Sequence, residues 1–135
     1  MHDVEKTLIL IKPDGVRKQL IGEVVSRFEK KGLTVLKLEM MSLSREKAQL
    51  HYAEHVGKPF YPPLIDFITS GPLVAMVLEG QRAISVARKM CGATDSALAE
   101  AGTIRGDYSI YNNQNVVHSS DSAESATREI SIYFG

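Results

Sequence analysis

Residues 7–11, TLILI, form an unbroken apolar run of the length a buried strand needs. The run stops at Lys12-Pro13-Asp14-Gly15, where proline and glycine interrupt regular pairing. The period then changes: Ile21, Val24, Val25 and Phe28 recur at i, i+3, i+4 and i+7, one face of an amphipathic helix. Lys30 and Lys31 put positive charge at the negative end of that helix, and Gly32 fits the position just past it. In LKLEM, Leu36, Leu38 and Met40 alternate with Lys37 and Glu39, which predicts a strand with one wet face.

Ser44 is placed to cap a helix running to about Val56. A second short helix is predicted in KPFYPPLIDFITSG, because Pro62 and Pro63 fit a first helical turn but not an interior. Gly71-Pro72 then launches LVAMVL, a strand covered on both faces. Ile84, Ala87, Arg88 and Cys91 share a helix face that ends at Gly92. Residues 93–115 show no sustained period, and a loop of that length inside a compact domain is more often functional than idle. A last strand holds residues 116–118, and Asp121 with Glu124 makes a start like a capping box for a final helix. This order suits an α+β, split βαβ arrangement: one four-stranded, mostly antiparallel sheet covered by helices on one face.

At 135 residues the chain is read as one domain, 1–135, long enough to enclose a single core. Sixteen basic residues balance sixteen acidic ones, so no broad basic field points to nucleic acid. The single cysteine, Cys91, excludes an intrachain disulfide framework and fits a reducing compartment. MHDVEKT carries charge where a signal peptide needs apolar residues, and the longest clean apolar run, 73–78, is far short of a membrane span. The expectation is a soluble, intracellular globular domain.

The chain has four histidines. His2 sits at the terminus and is set aside. His51 and His55 flank Glu54 in HYAEH, the H-x-x-E-H spacing of inverted zinc peptidases, which on one helix would put both imidazoles on one face. Five residues make a weak motif, no third ligand follows, and a polar helix end is the better reading. His118 has stronger company: a short apolar strand before it, hydroxyls at Ser119, Ser120 and Ser122 after it, and Glu129 on the helix that folds back. A histidine held at one ring nitrogen can present the other as a nucleophile, although spacing alone leaves a satisfied, partly buried histidine equally open. Lys12, Arg88 and Arg105 are each simple surface charges when taken singly; together they suit a phosphate clamp. There is no G-x-x-x-x-G-K-[ST] or G-x-G-x-x-G stretch, so phosphate binding would have to come from side chains. Cys91 reads as a buried structural thiol.

IKPDGV after the first strand, TSGP before the third, TIRGD in the aperiodic segment and NVVHSSD before the final helix together resemble the nucleoside diphosphate kinase family, in register over residues 7–134. The resemblance implies a ferredoxin-like fold and ping-pong transfer of the terminal phosphate of a nucleoside triphosphate, such as ATP, to any nucleoside diphosphate. It implies His118 as the histidine phosphorylated on Nδ1, and Lys12, Arg88, Thr94, Arg105 and Asn115 as contacts to phosphates or sugar. Phe60 corresponds to the aromatic that stacks on the base, with Leu64 beside the stack. Tyr52, Ser120 and Glu129 correspond to groups that position the histidine or approach the transferred phosphate. Mg²⁺ is implied as a passenger on the nucleotide phosphates, with no direct protein ligand and Asp121 at most bridged through water. Family members are hexamers or tetramers; a cytoplasmic hexamer is expected here, with neither a membrane nor a specific nucleic acid as partner.

The physics of phosphoryl transfer fits these residue types, since it asks mainly for positioning and positive charge near the equatorial oxygens. Stacking on Phe60 would also explain broad base tolerance, because every base offers a π face. Some positions depart from the family. Ser119 stands where Gly or Ala is usual, a costly exchange if that position has positive φ. Ser96 and Ala101 replace customary prolines, and Asn112 replaces an apolar residue. Beside the kinase reading stand a ferredoxin-like module that holds nucleotides without turnover, and a zinc hydrolase built on His51 and His55.

Overall fold

The computed structural model describes residues 3–135, so His2 lies outside the described residues. In chain order the elements are β1 (Val4–Ile11), α1 (Pro13–Arg17), α2 (Ile21–Lys31), β2 (Thr34–Met41), α3 (Arg45–His51), α4 (Tyr61–Ile68), β3 (Leu73–Gln81), α5 (Ala83–Cys91), α6 (Ile104–Tyr108), β4 (Val117–Ser119) and α7 (Ala123–Phe134). The strands form one sheet in the order β2-β3-β1-β4, and every neighbouring pair is antiparallel. The expected ferredoxin-like α+β architecture is present.

Helices cover both faces of the sheet, not one. In β1, Ile9 and Ile11 point into a core with Val24 and Phe28 of α2 and Ala83, Ala87 and Cys91 of α5. Leu8 and Leu10 point the other way, toward Ala48 of α3, Ile65 and Ile68 of α4 and Tyr133 of α7. Unbroken runs such as TLILI and LVAMVL demand this, because a strand with no polar alternation has no face to give to water. The two central strands are β1 and β3, and both carry such runs.

The edge strand β2 departs from its expected single wet face. Leu36, Leu38 and Met40 are 43%, 52% and 54% exposed, so the alternation LKLEM does not bury its apolar side within this chain. Leu38 and Met40 pair with Met76 and Val74 at the sheet margin, yet both stay more than half exposed. Leu36 falls at a register shift between Val35 and Lys37.

Local signals explain most boundaries. Gly32 closes α2 in the left-handed region at φ 109°, where a side chain would be strained. Ser44 accepts from the Lys47 amide at 3.2 Å, as expected of an N-cap. The helix that follows ends at His51 instead of Val56, and Ala53–His55 is a separate 3₁₀ turn. At α7 the cap is Ser122, which accepts from the Ser125 amide at 3.0 Å; Asp121, expected in that role, sits one residue earlier. The aperiodic segment hides a 3₁₀ turn, Ser96–Leu98, and α6, whose Gly106 could carry no Cβ without striking the Glu100 carbonyl.

Candidate active site

Register places the histidine. His118 pairs with Leu10 across the β1–β4 ladder, and directly opposed residues share a face. His118 therefore emerges on the α3/α7 side, with 19% of its side chain reachable by solvent. The buried stripe of α7 is Ala126, Glu129 and Tyr133, so the helix carries a carboxylate into the same space. Glu129 Oε1 accepts from His118 Nε2 at 2.8 Å and from the Ser120 hydroxyl at 2.7 Å. A carboxylate only accepts, which puts the imidazole proton on Nε2 and leaves Nδ1 with a free lone pair. Burial lowers the His118 pKa against the opposing pull of Glu129, and the ring is neutral near pH 7. Burial alone would raise the Glu129 carboxyl; the His118 hydrogen bond and charge, with Ser120, hold it below its ordinary value. This is the arrangement of an aimed, neutral imidazole nucleophile.

The approach to β4 is bent to make that aim. Val116 has φ 71°, an uncommon conformation for a β-branched residue, and is held from both sides. Its amide donates to Asp14 Oδ2 at 3.0 Å, and its carbonyl accepts from the Lys12 amide at 2.7 Å. Ser119 is not among the positive-φ residues, so the exchange from Gly or Ala carries no backbone penalty there. Arg105 braces the same corner: its guanidinium donates to the carbonyls of Gly92 (2.9 Å), Asn115 (3.3 Å) and Val117 (2.7 Å). Arg88, on α5, reaches the Ser119 carbonyl at 3.1 Å.

The cations expected of a phosphate clamp come together. Lys12, Arg88 and Arg105 line one cleft with His118, Tyr52, Thr94 and Asn115, a space of about 170 Å³. Lys12 is nearly buried, and burial followed by the Arg105 charge pulls its pKa down to about 8. Its ammonium is oriented by Asn115 Oδ1 at 2.8 Å, while the Asn115 amide nitrogen donates to the Thr94 and Asn112 carbonyls. The Tyr52 hydroxyl is buried without a protein partner and lines this cleft, and burial pushes its pKa up. Asp121 stands at the exposed rim. Phe60 and Leu64 line a separate, neighbouring hollow with Pro63, Phe67 and Asn113; the His55 ring, 5.3 Å from that of Phe60, links the two.

HYAEH does not build the site its spacing suggested. The helix stops at its first histidine, so His51 and His55 do not share a helical face, and Glu54 is exposed. His51 instead turns inward and is buried against His118, ring centroids 4.7 Å apart. Its Nδ1 lies 2.7 Å from the Tyr133 hydroxyl and its Nε2 lies 3.7 Å from Glu129 Oε2. Burial, then the charges of His118 and Arg128, lowers its pKa well below the usual histidine value. His51 and Tyr133 thus join the cluster without having been singled out for it from sequence. The signal for Tyr133 was its place one turn beyond Glu129. Cys91 is fully buried, as expected, and burial pushes its thiol up.

A family model described as nucleoside diphosphate kinase matches residues 5–135. The nucleoside diphosphate kinase of Staphylothermus marinus is 61% identical over 132 residues, covering 98% of this chain and 94% of that protein. That of Halalkalibacterium halodurans is 57% identical over 131 residues, covering 97% and 89%. Among solved structures, a halophilic nucleoside diphosphate kinase from Halobacterium salinarum in complex with CDP is similar with a TM-score of 0.95 at 46% identity, covering 98% of this chain and 88% of that one. The Aquifex aeolicus nucleoside diphosphate kinase gives a TM-score of 0.94 at 39% identity, covering 98% and 96%.

Proposed function

The chain belongs to the nucleoside diphosphate kinase family, a phosphotransferase family that works by ping-pong through a phosphohistidine, and on that premise we propose which residues here carry the transfer. His118 Nδ1 attacks the terminal phosphorus of a nucleoside triphosphate; the new P–N bond forms as the bond to the bridging oxygen breaks. The nucleoside diphosphate departs with the electrons of that bond. A second diphosphate then attacks the phosphohistidine with a terminal oxygen, and Nδ1 recovers its lone pair. The observation that carries this assignment is the 2.8 Å contact from Nε2 to Glu129, which fixes the tautomer and offsets the positive charge the ring gains when phosphorylated. Ser120 holds the carboxylate in turn.

Lys12, Arg88 and Arg105 supply positive charge for the equatorial oxygens, and the Tyr52 hydroxyl, lacking a protein partner, donates to the moving phosphate. Thr94 and Asn115 hold the sugar and phosphate side, Asn115 partly by orienting Lys12. Phe60 and Leu64 take the base in the adjoining hollow. Mg²⁺ carried on the nucleotide phosphates would supply Lewis-acid charge there. A cleft lined by three cations, with Glu129 engaged by His118 and Ser120, suits Mg²⁺ delivered this way better than Mg²⁺ held by protein carboxylates. Asp121 at the rim would be the residue to contact that ion, through water and not directly.

The exposed apolar residues of β2 support a homo-oligomer, and the family resemblance favours a hexamer over a tetramer. No helix among the described residues is long and apolar enough to cross a membrane; the cytoplasmic placement we propose rests on the family resemblance.

The direct test is incubation with γ-labelled ATP. Acid-labile, alkali-stable label is expected on the protein and is expected to vanish in His118→Ala. Label that persists in that variant contradicts the assignment.

A further inference from the structure

The cluster behind the nucleophile contains more than phosphoryl transfer needs. One nitrogen each from His51 and His118 and one oxygen of Glu129 all lie within 4.8 Å of one another. His118 Nε2 lies 2.8 Å from Glu129 Oε1, and His51 Nε2 lies 3.7 Å from the other carboxylate oxygen, Oε2. Donors that share a tetrahedral metal at bonds of about 2.0–2.1 Å stand about 3.3–3.4 Å apart, a spacing these two distances bracket. The set His, His, Glu with an open side is one that zinc takes in enzymes.

The groups around the donors also match what metal ligands require. A metal-bound imidazole passes its other N–H to a fixed acceptor, and His51 Nδ1 sits 2.7 Å from the Tyr133 hydroxyl oxygen. A ligating carboxylate is itself held, and Ser120 holds Glu129. His51, His118 and Glu129 all line the cleft, which gives the entry path.

We propose that His51, His118 and Glu129 form a capture site for Zn²⁺ or a similar borderline divalent cation, and that its occupancy silences the kinase. Coordination needs the Nε2 lone pair of each histidine. On His118 the proton leaves Nε2 and the ring keeps one proton at Nδ1, so the nitrogen that would attack phosphorus loses its free lone pair. On His51 the proton resides at Nδ1 and is donated to Tyr133. The charges of Lys12, Arg88 and Arg105 oppose any cation held by charge alone, so Mg²⁺ does not compete for these nitrogens, whereas a metal with affinity for imidazole does. The site and the phosphorylated state are mutually exclusive. The silencing half of the proposal rests on His118 being the nucleophile; the binding half does not.

Co²⁺ is the probe, added to the full-length, nucleotide-free protein under equilibrium dialysis, with visible absorption read in parallel. We expect one Co²⁺ per chain with the intense bands of low coordination number, displaced by Zn²⁺. Affinity is expected to fall by at least about 10–100-fold in His51→Gln and by a smaller factor in Tyr133→Phe, which removes only the outer partner. Circular dichroism checks that each variant folds, and Tyr133→Phe decides the matter should His51→Gln fail to fold. In a second arm, Zn²⁺ is added before γ-labelled ATP; labelling is expected to fall and to return with chelator in the presence of excess Mg²⁺. Absence of the Co²⁺ bands, or bands unaltered in both variants, overturns the site. Bands that depend on His51 with labelling untouched by Zn²⁺ overturn the silencing. Failure of labelling in buffer freed of transition metals and supplied with Mg²⁺ would instead overturn the assignment of His118.

Discussion

The residue whose behaviour is most constrained is Glu129. It accepts two hydrogen bonds on one oxygen, from His118 and Ser120, and it sits on the buried face of α7. Glu129→Gln keeps the shape but offers an NH₂ that can turn toward Nε2 and favour the wrong tautomer. Turnover is expected to drop by roughly 10²–10⁴, with modest change in KM, as for other acceptors that orient a catalytic imidazole. Steady-state kinetics check this; an unchanged kcat would remove Glu129 from the account. Lys12 gives a pH signature. Its pKa near 8 lies below the ordinary lysine value because burial and then Arg105 disfavour its charge. The lysine is charged below that pH and loses its charge as pH rises through it, so kcat/KM for the nucleotide is expected to fall on an alkaline limb near pH 8. Lys12→Arg, charged throughout, is expected to lose that limb even if it is slower.

At the scale of elements, the corner formed by residue 92, α6 and the start of β4 depends on one side chain. Arg105 satisfies the carbonyls of Gly92, Asn115 and Val117. Arg105→Ala is therefore expected to cost about 1–3 kcal/mol of stability by leaving buried acceptors unpaired, in addition to about 10²–10³ in turnover from the lost phosphate contact. Urea unfolding and kinetics on the same variant separate the two effects. This brace shows where sequence reading succeeds and where it stops. TLILI, LVAMVL and the 21–28 helix were legible because apolar period is a local property. Lys12 and His118 were legible as candidates from their placement at strand ends, and Arg88 from its company with Lys12 and Arg105. The inward turn of His51 was not, since it follows from α3 ending within HYAEH and from α7 arriving with Glu129 and Tyr133, a long-range meeting. The failure of β2 to bury its apolar side was equally invisible, because alternation marks a face as apolar without saying what covers it.

For the whole molecule, that uncovered face is the observation behind the proposed homo-oligomer. Leu38 and Met40 flank each other on an edge strand, the kind of surface soluble proteins leave open only when something pairs with it. Leu38→Lys is expected to shift the species seen by light scattering from an oligomer toward smaller assemblies, while the fold of each chain survives. An unchanged mass would place the contacts elsewhere. The catalytic cycle is a property of the entire fold, because β1, β4, α3, α5 and α7 each bring one part of the nucleophile's setting. Its central assertion is that Glu129 holds Nε2 so that Nδ1 carries the phosphoryl group. Phosphorus–proton and nitrogen–proton NMR on the isolated, nucleotide-free phosphoprotein reads this directly. The phosphorus is expected on Nδ1 of His118, with Nε2 still protonated; a phosphoryl group on Nε2, or on any other residue, would contradict it.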